Sequence, residues 1–149
     1  MYDSILLASD GTAASTNAES HAITLAGDHD ATLHVVYVVD EDVYTAYSGD
    51  EYVDESEGPE HGLEETGQET LARIRADAEA AGVEVTTTLK HGRPAESIID
   101  AADEVDADVL VLGTKRRPAE YRSLLGSITD KVLRLTERPS VVVKTEVEE

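Results

Sequence analysis

Cysteine is absent from this 149-residue chain. That excludes a disulfide framework and thiol chemistry, and it leaves the redox compartment open. Tryptophan and phenylalanine are also absent, and aromatic residues make up only 4%. No internal repeat is visible. The first residues lack the charged, apolar and cleavage regions of a signal peptide, and no apolar run approaches the length of a membrane span. The expectation is a cytoplasmic protein. Positive charge is scarce as well: Lys+Arg 12 against Asp+Glu 32, a net charge of -20, with only four Lys among the cations. This balance argues against nucleic acid or an anionic membrane as partner.

The acids are spread over every segment. So much like charge repels itself at low salt. An acidic, Lys-poor composition rich in Ala, Val and Thr resembles that of proteins from salt-loving organisms. Molar salt shortens the Debye length to about 3 Å and removes the repulsion. The rival reading is an acidic face for a basic partner. The length suggests one domain, residues 1–149, large enough to bury roughly 68–70% of its unfolded surface.

Short apolar runs alternate with helical patterns. Ile5, Leu6, Leu7 and Ala8 form a run that fits a strand buried on both faces. A helix follows, with Ala14, Ala18, Ala22, Leu25 and Ala26 at helical spacing; Thr12 or Ser15 is its expected cap and Gly27 its expected stop. Residues 31–39 read as the second strand. His34 inside it is expected to be packed or hydrogen-bonded, since no nucleophile or metal partner is spaced near it. Residues 40–62 form a long acidic loop without usable period or calcium-loop spacing. Its Tyr44, Tyr47 and Tyr52 could cover a ligand base; simple packing or disorder is the expectation. A helix over 63–81 is closed by Gly82. Residues 83–90 alternate apolar and polar, which places that strand near an edge, and His91 with Gly92 makes the turn. Pro94 opens another helix, buried through Ala95, Ile98, Ile99, Ala102 and Val105. The last helix is broken at Arg138-Pro139. Residues 140–144 form a last strand with Val141, Val142 and Val143, before an acidic tail. Strand–helix alternation of this kind implies a parallel sheet with helices on both faces.

Residues 108–132 hold the chemistry. An apolar strand, Val109 to Leu112, is closed by Gly113. A basic loop follows with Lys115, Arg116, Arg117 and Arg122. Gly126 and Ser127 open a helix whose apolar side holds Ile128, Val132, Leu133 and Leu135. Free N–H groups and partial positive charge at a helix start suit an anion, most often phosphate. In the plainer alternative Ser127 only caps its helix. The cluster of cations favours the anion. No Gly-x4-Gly-Lys-(Ser/Thr) loop is present, and no base stands beside the candidate cradle.

This stretch resembles the nucleotide loop of the universal stress protein family, Gly-x2-Gly-x9-Gly-(Ser/Thr). Gly113, Gly126 and Ser127 are in register, and Arg116 stands where the second glycine belongs. The opening Ile-Leu-Leu-Ala-Ser-Asp-Gly, the segment 34–40, Gly-Arg-Pro-Ala-Glu-Ser-Ile-Ile at 92–99 and the segment 107–114 resemble the family in order and spacing. The resemblance implies a doubly wound five-stranded parallel sheet of order 3-2-1-4-5, of the adenine nucleotide alpha hydrolase-like type. The crevice would then lie between strands one and four, with Asp10 and Gly113 on its two sides. It further implies adenine at Ala8, Ser9, Asp10 and Val38, with ribose and phosphates at Gly113, Gly126, Ser127 and the N–H of Ile128. The ligand would be ATP with Mg2+, or AMP or ADP. Arg116 either blocks the site, if glycine conformation is needed there, or clamps phosphate as a charged donor. The implied role is a sensor or regulator in stress response, with slow ATP hydrolysis at most. The alternative is a nucleotide-free stress protein acting through protein partners. A homodimer through Val141, Val142 and Val143 is expected, because an exposed edge of valines invites pairing with its copy.

Overall fold

The computed structural model describes residues 2–40, 59–116 and 127–146. The elements are β1 (Ser4–Ala8), a single 3-10 turn (Ala13–Ser15), α1 (Thr16–His29), β2 (Thr32–Asp40), α2 (Pro59–Ala80), β3 (Val85–Gly92), α3 (Pro94–Glu104), β4 (Val109–Arg116), α4 (Ser127–Leu135) and β5 (Ser140–Glu146). All strand pairs are parallel, in the order β3-β2-β1-β4-β5. The expected topology is the one observed.

Successive residues of each central strand serve opposite faces. Ile5, Leu7, Leu33, Val35, Val109 and Val111 pack beneath α1 and α2. Leu6, Val36, Leu110 and Leu112 pack beneath α3 and α4. Both faces are dry, so these strands read as unbroken apolar runs. Ala18, Ala22 and Ala26, at four-residue spacing, let α1 lie close to the sheet. At the opposite end of the sheet, the Asp108 carboxylate ties β1 to β4. Its Oδ2 accepts the N–H groups of Asp3 (2.8 Å) and Ser4 (3.0 Å). Those two bonds hold its pKa below the ordinary value.

Several boundaries differ from expectation. Helix α1 runs past Gly27 and stops at Asp30, which takes the left-handed conformation with φ 54 and closes the helix in the role usual for glycine. Neither Thr12 nor Ser15 makes a side-chain cap bond; the Ser15 hydroxyl turns to Asp10 instead. Ala14 belongs to the 3-10 turn, not to α1. Helix α2 begins at Pro59, inside the stretch expected as loop. His91 and Gly92 continue β3, paired with Val39 and Asp40. Gly113 lies within β4, which continues to Arg116, and β5 extends to Glu146.

Helix α4 is rotated relative to its apolar stripe. Val132 is buried, whereas Ile128 is 42% and Leu135 51% exposed. The Thr129 hydroxyl donates to the carbonyl of Gly113 at 2.9 Å, which turns Thr129 and Val132 toward the sheet. His34 is half-buried, with Nδ1 2.7 Å from the Thr86 hydroxyl. Burial lowers its pKa from the ordinary value, and the nearby Glu84 charge only partly opposes that. Among the described residues, no helix is long and apolar enough to cross a membrane.

Candidate functional site

The order reverses at β1, where one chain direction leads to β2 and the other to β4. At the carboxyl ends of these strands lies a cleft of about 240 Å³. Its floor is apolar: Ala8, Val36, Val38 and Leu112 from the sheet, with Ile98 of α3. Asp10 and Asp40 stand at its rim, and the buried Ser15 and Tyr37 also line it. Gly113, Ile128 and Thr129 close the side toward α4, and Leu63 of α2 reaches in from the other. An apolar hollow with a few placed polar groups is the usual form of a small-molecule site.

Asp10 is shaped by its own loop. Its Oδ1 accepts from the Thr12 N–H (2.9 Å), the Thr12 hydroxyl (2.6 Å) and the Ser15 hydroxyl (2.9 Å). The backbone N–H contact is an Asx-type turn. Gly11 takes φ 76, which a side chain rarely adopts. The loop therefore ends β1 with a fixed carboxylate at the rim of the cleft. Beside it, burial raises the pKa of Tyr37, and the charge of Asp10 adds to the effect, so the phenol keeps its proton and can donate.

A second hollow of about 270 Å³ adjoins the first and shares Asp40, Pro94 and Ile128 with it. It lies between the first turns of α3 and α4, with Arg93, Glu96, Ser127 and Lys131 around it. Glu96 pairs with Lys131 at 3.0 Å and with Arg93 at 4.0 Å. Lys131 is the main cause of its lowered pKa. A carboxylate thus sits among the cations that a bound anion would meet.

Of the residues expected at the site, Ala8, Ser9, Asp10, Val38, Gly113 and Ile128 line the first hollow, and Ser127, with Ile128, lines the second. Arg116 ends β4, paired with Glu146; its side chain lies outside the described residues, as do Arg117, Arg122 and Gly126. The loop tyrosines Tyr44, Tyr47 and Tyr52 lie outside them too. Sequence reasoning did not find Thr129, Glu96 or Lys131. The first is two residues beyond Ser127 and the others sit at the starts of two helices, so only the packing of α3 beside α4 brings them together. It also missed the work of Gly113. A Cβ there would stand 2.7 Å from the Ala14 carbonyl oxygen and 3.1 Å from Ser15 Cα. The glycine lets the 3-10 turn rest on β4, behind the cleft. His91, expected in a turn, has Nε2 2.6 Å from Glu64 Oε1.

The chain matches the model of the universal stress protein family over residues 1–144. It is 33% identical over 147 residues to universal stress protein MJ0531 of Methanocaldococcus jannaschii, covering 97% of this chain and 83% of that one. Among solved structures, hypothetical protein MJ0577 superposes with a TM-score of 0.77 at 23% identity, covering 97% and 96% of the two chains. A universal stress protein from Archaeoglobus fulgidus, solved in complex with dAMP, superposes with a TM-score of 0.67 at 21% identity, covering 96% and 98%.

Proposed function

The chain belongs to the universal stress protein family, and from that membership we propose that its cleft binds an adenine nucleotide, ATP with Mg2+ or the smaller AMP or ADP. The protein acts as a sensor or regulator and not as an efficient enzyme. The observation that carries this reading is the pair of adjoining hollows at the strand reversal, one apolar with Asp10 at its rim, the other between two helix starts with Arg93 and Lys131. Small-molecule pockets usually hold roughly 300–1,000 Å³. The first hollow, at about 240 Å³, suits a flat base better than a whole nucleotide. The base lies on Val38 and Ala8. Its exocyclic amine meets Asp10, whose loop contacts fall on Oδ1. Ribose passes Gly113, and phosphates reach Gly126, Ser127 and the start of α4, with Arg116 as a charged donor. A bound phosphate competes with Glu96 for Lys131. The complex of a relative with dAMP supports the ligand class.

The test is titration calorimetry with ATP and Mg2+ in molar KCl, preceded by denaturing extraction of co-purified nucleotide. Saturable binding is expected. Ser127→Ala should weaken it by about twofold to tenfold, the loss of one neutral hydrogen bond, and Arg116→Glu by about tenfold or more, because it removes a charged donor and sets a carboxylate against phosphate. Unchanged affinity in both variants would overturn the placement. Arginine in place of the family's glycine favours a second reading, a nucleotide-free stress protein that acts through protein partners. No extracted nucleotide and no heat of binding would select it.

We also propose a homodimer through β5. This strand is paired with β4 alone among the described strands, and Val141, Val142 and Val143 are all half-buried along it.

A further inference from the structure

Behind the Asp10 loop lies an ion pair between the buried Glu19 and the half-exposed Arg73, neither of which lines the cleft. Glu19, in the first turn of α1, has a side chain only 7% exposed. Its Oε1 accepts from Arg73 Nη1 at 2.9 Å, and its Oε2 from Nη2 at 3.3 Å. Oε2 also accepts the Ser9 hydroxyl at 2.7 Å. Ser9 has one proton and gives it to Glu19, so its oxygen is left to accept, and it takes the Gly11 N–H at 3.1 Å. The donors run in one direction toward a single carboxylate. Helix α2 also meets the loop directly. A Cβ at Gly11 would stand 2.6 Å from the hydroxyl oxygen of the buried Thr70. Thr70 and Arg73 are neighbours on one face of α2.

Elsewhere α1 fills its buried face with alanine: Ala18, Ala22 and Ala26. A carboxylate taken out of water against a half-exposed guanidinium is a weak source of net stability, and such groups are best attested as devices that fix geometry. We propose that Glu19 and Arg73 are positioning residues of the cleft. They orient Ser9 and the Gly11 N–H, and through that loop they aim the Asp10 carboxylate at the amine of an adenine base. The proposal rests on the reading of the cleft as an adenine-nucleotide site. Its consequence is base selectivity. A carboxylate only accepts, and hypoxanthine presents an oxygen where adenine presents its amine. The pair therefore decides how strongly adenine is preferred to hypoxanthine.

The experiment is calorimetric titration of the full chain with AMP and with IMP in molar KCl. Wild type is expected to favour AMP by about tenfold or more, as the loss of a hydrogen bond to a charged group implies. Glu19→Gln keeps the volume but turns one acceptor into a donor, and Arg73→Met keeps the length but removes all donors. Both should weaken AMP binding by about tenfold and leave IMP binding unchanged. Arg73→Lys should recover part of the loss. Should Glu19→Gln fail to fold, the half-exposed Arg73 carries the test, and Gly11 amide exchange in Arg73→Met should be faster than in wild type. Equal loss for both nucleotides would mean a merely structural pair and would overturn the proposal. Unchanged AMP binding in the variants, or a wild type without preference, would overturn it also. A wild type that binds neither of these, nor ATP or ITP with Mg2+ in the same titration, would bring down the cleft reading itself, before any variant is made; if only the triphosphates bind, the AMP and IMP comparison is read with ATP and ITP.

Discussion

At the scale of single residues, Gly113 shows how one position serves two demands. Its place in the family's loop pattern suggested close approach by a ligand. Its surroundings give a reason that needs no ligand, since the backbone of Ala14 and Ser15 occupies the space a Cβ would take. Backbone cannot move aside as a side-chain tip can. Gly113→Ala should therefore destabilise the ligand-free protein by about 1–3 kcal/mol, the usual cost of overpacking. Chemical denaturation in molar KCl measures it. Wild-type stability in that variant would return the glycine to a purely ligand-directed role. Ser127, by contrast, is exposed at the start of α4, so its hydroxyl can be removed without disturbing the core. That contrast makes Ser127→Ala the cleaner probe of phosphate binding.

At the scale of elements, α1 tests the logic of helix ends. Glycine is the usual stop signal, yet Gly27 lies inside this helix and Asp30 supplies the left-handed residue. The amide of Ala31 closes the turn on the carbonyl of Ala26 at 2.9 Å. A Cβ at Gly27 would meet only a methyl carbon of Val83 at 3.8 Å, an ordinary contact. Gly27→Ala should therefore stabilise the protein by about 0.5–1 kcal/mol, by removing backbone freedom from the unfolded chain. Loss of stability in a melting experiment would mean that Gly27 caps the helix after all. Helix α4 carries a related lesson. Its stripe of Ile128, Val132 and Leu135 pointed to the wrong rotation, because the Thr129 hydroxyl, a polar anchor, competes with apolar periodicity in so short a helix.

At the scale of the whole molecule, the sheet has two edges of different character. Strand β3 carries exposed Thr86, Thr88 and His91. Strand β5 carries three consecutive valines, which leaves it the edge more open to pairing. In molar KCl, where a net charge of -20 is screened within about 3 Å, sedimentation should show a dimer. Val142→Lys should shift it toward monomer. A wild type that sediments only as monomer would remove the proposed interface. The fold itself was legible in advance. Apolar runs of strand length, separated by helical patterns, admit few arrangements other than a parallel sheet covered on both sides. The order 3-2-1-4-5 came from family resemblance, since no periodicity records which strands are neighbours.

By itself, then, the sequence determined the kind of elements, the dry central strands and the turn at Asp10 that ends β1, because local periodicity and turn chemistry act within a few residues of the chain; the crevice between β1 and β4 came from the family resemblance. Only the tertiary structure decided which partners distant side chains find. Glu19 lies 54 positions from Arg73, and Glu96 and Lys131 belong to different helices. Pairings of that kind depend on how helices settle against the sheet. Side-chain size and polar anchors fix that settling at the last step of packing, and they leave no period for a reader of the sequence to follow.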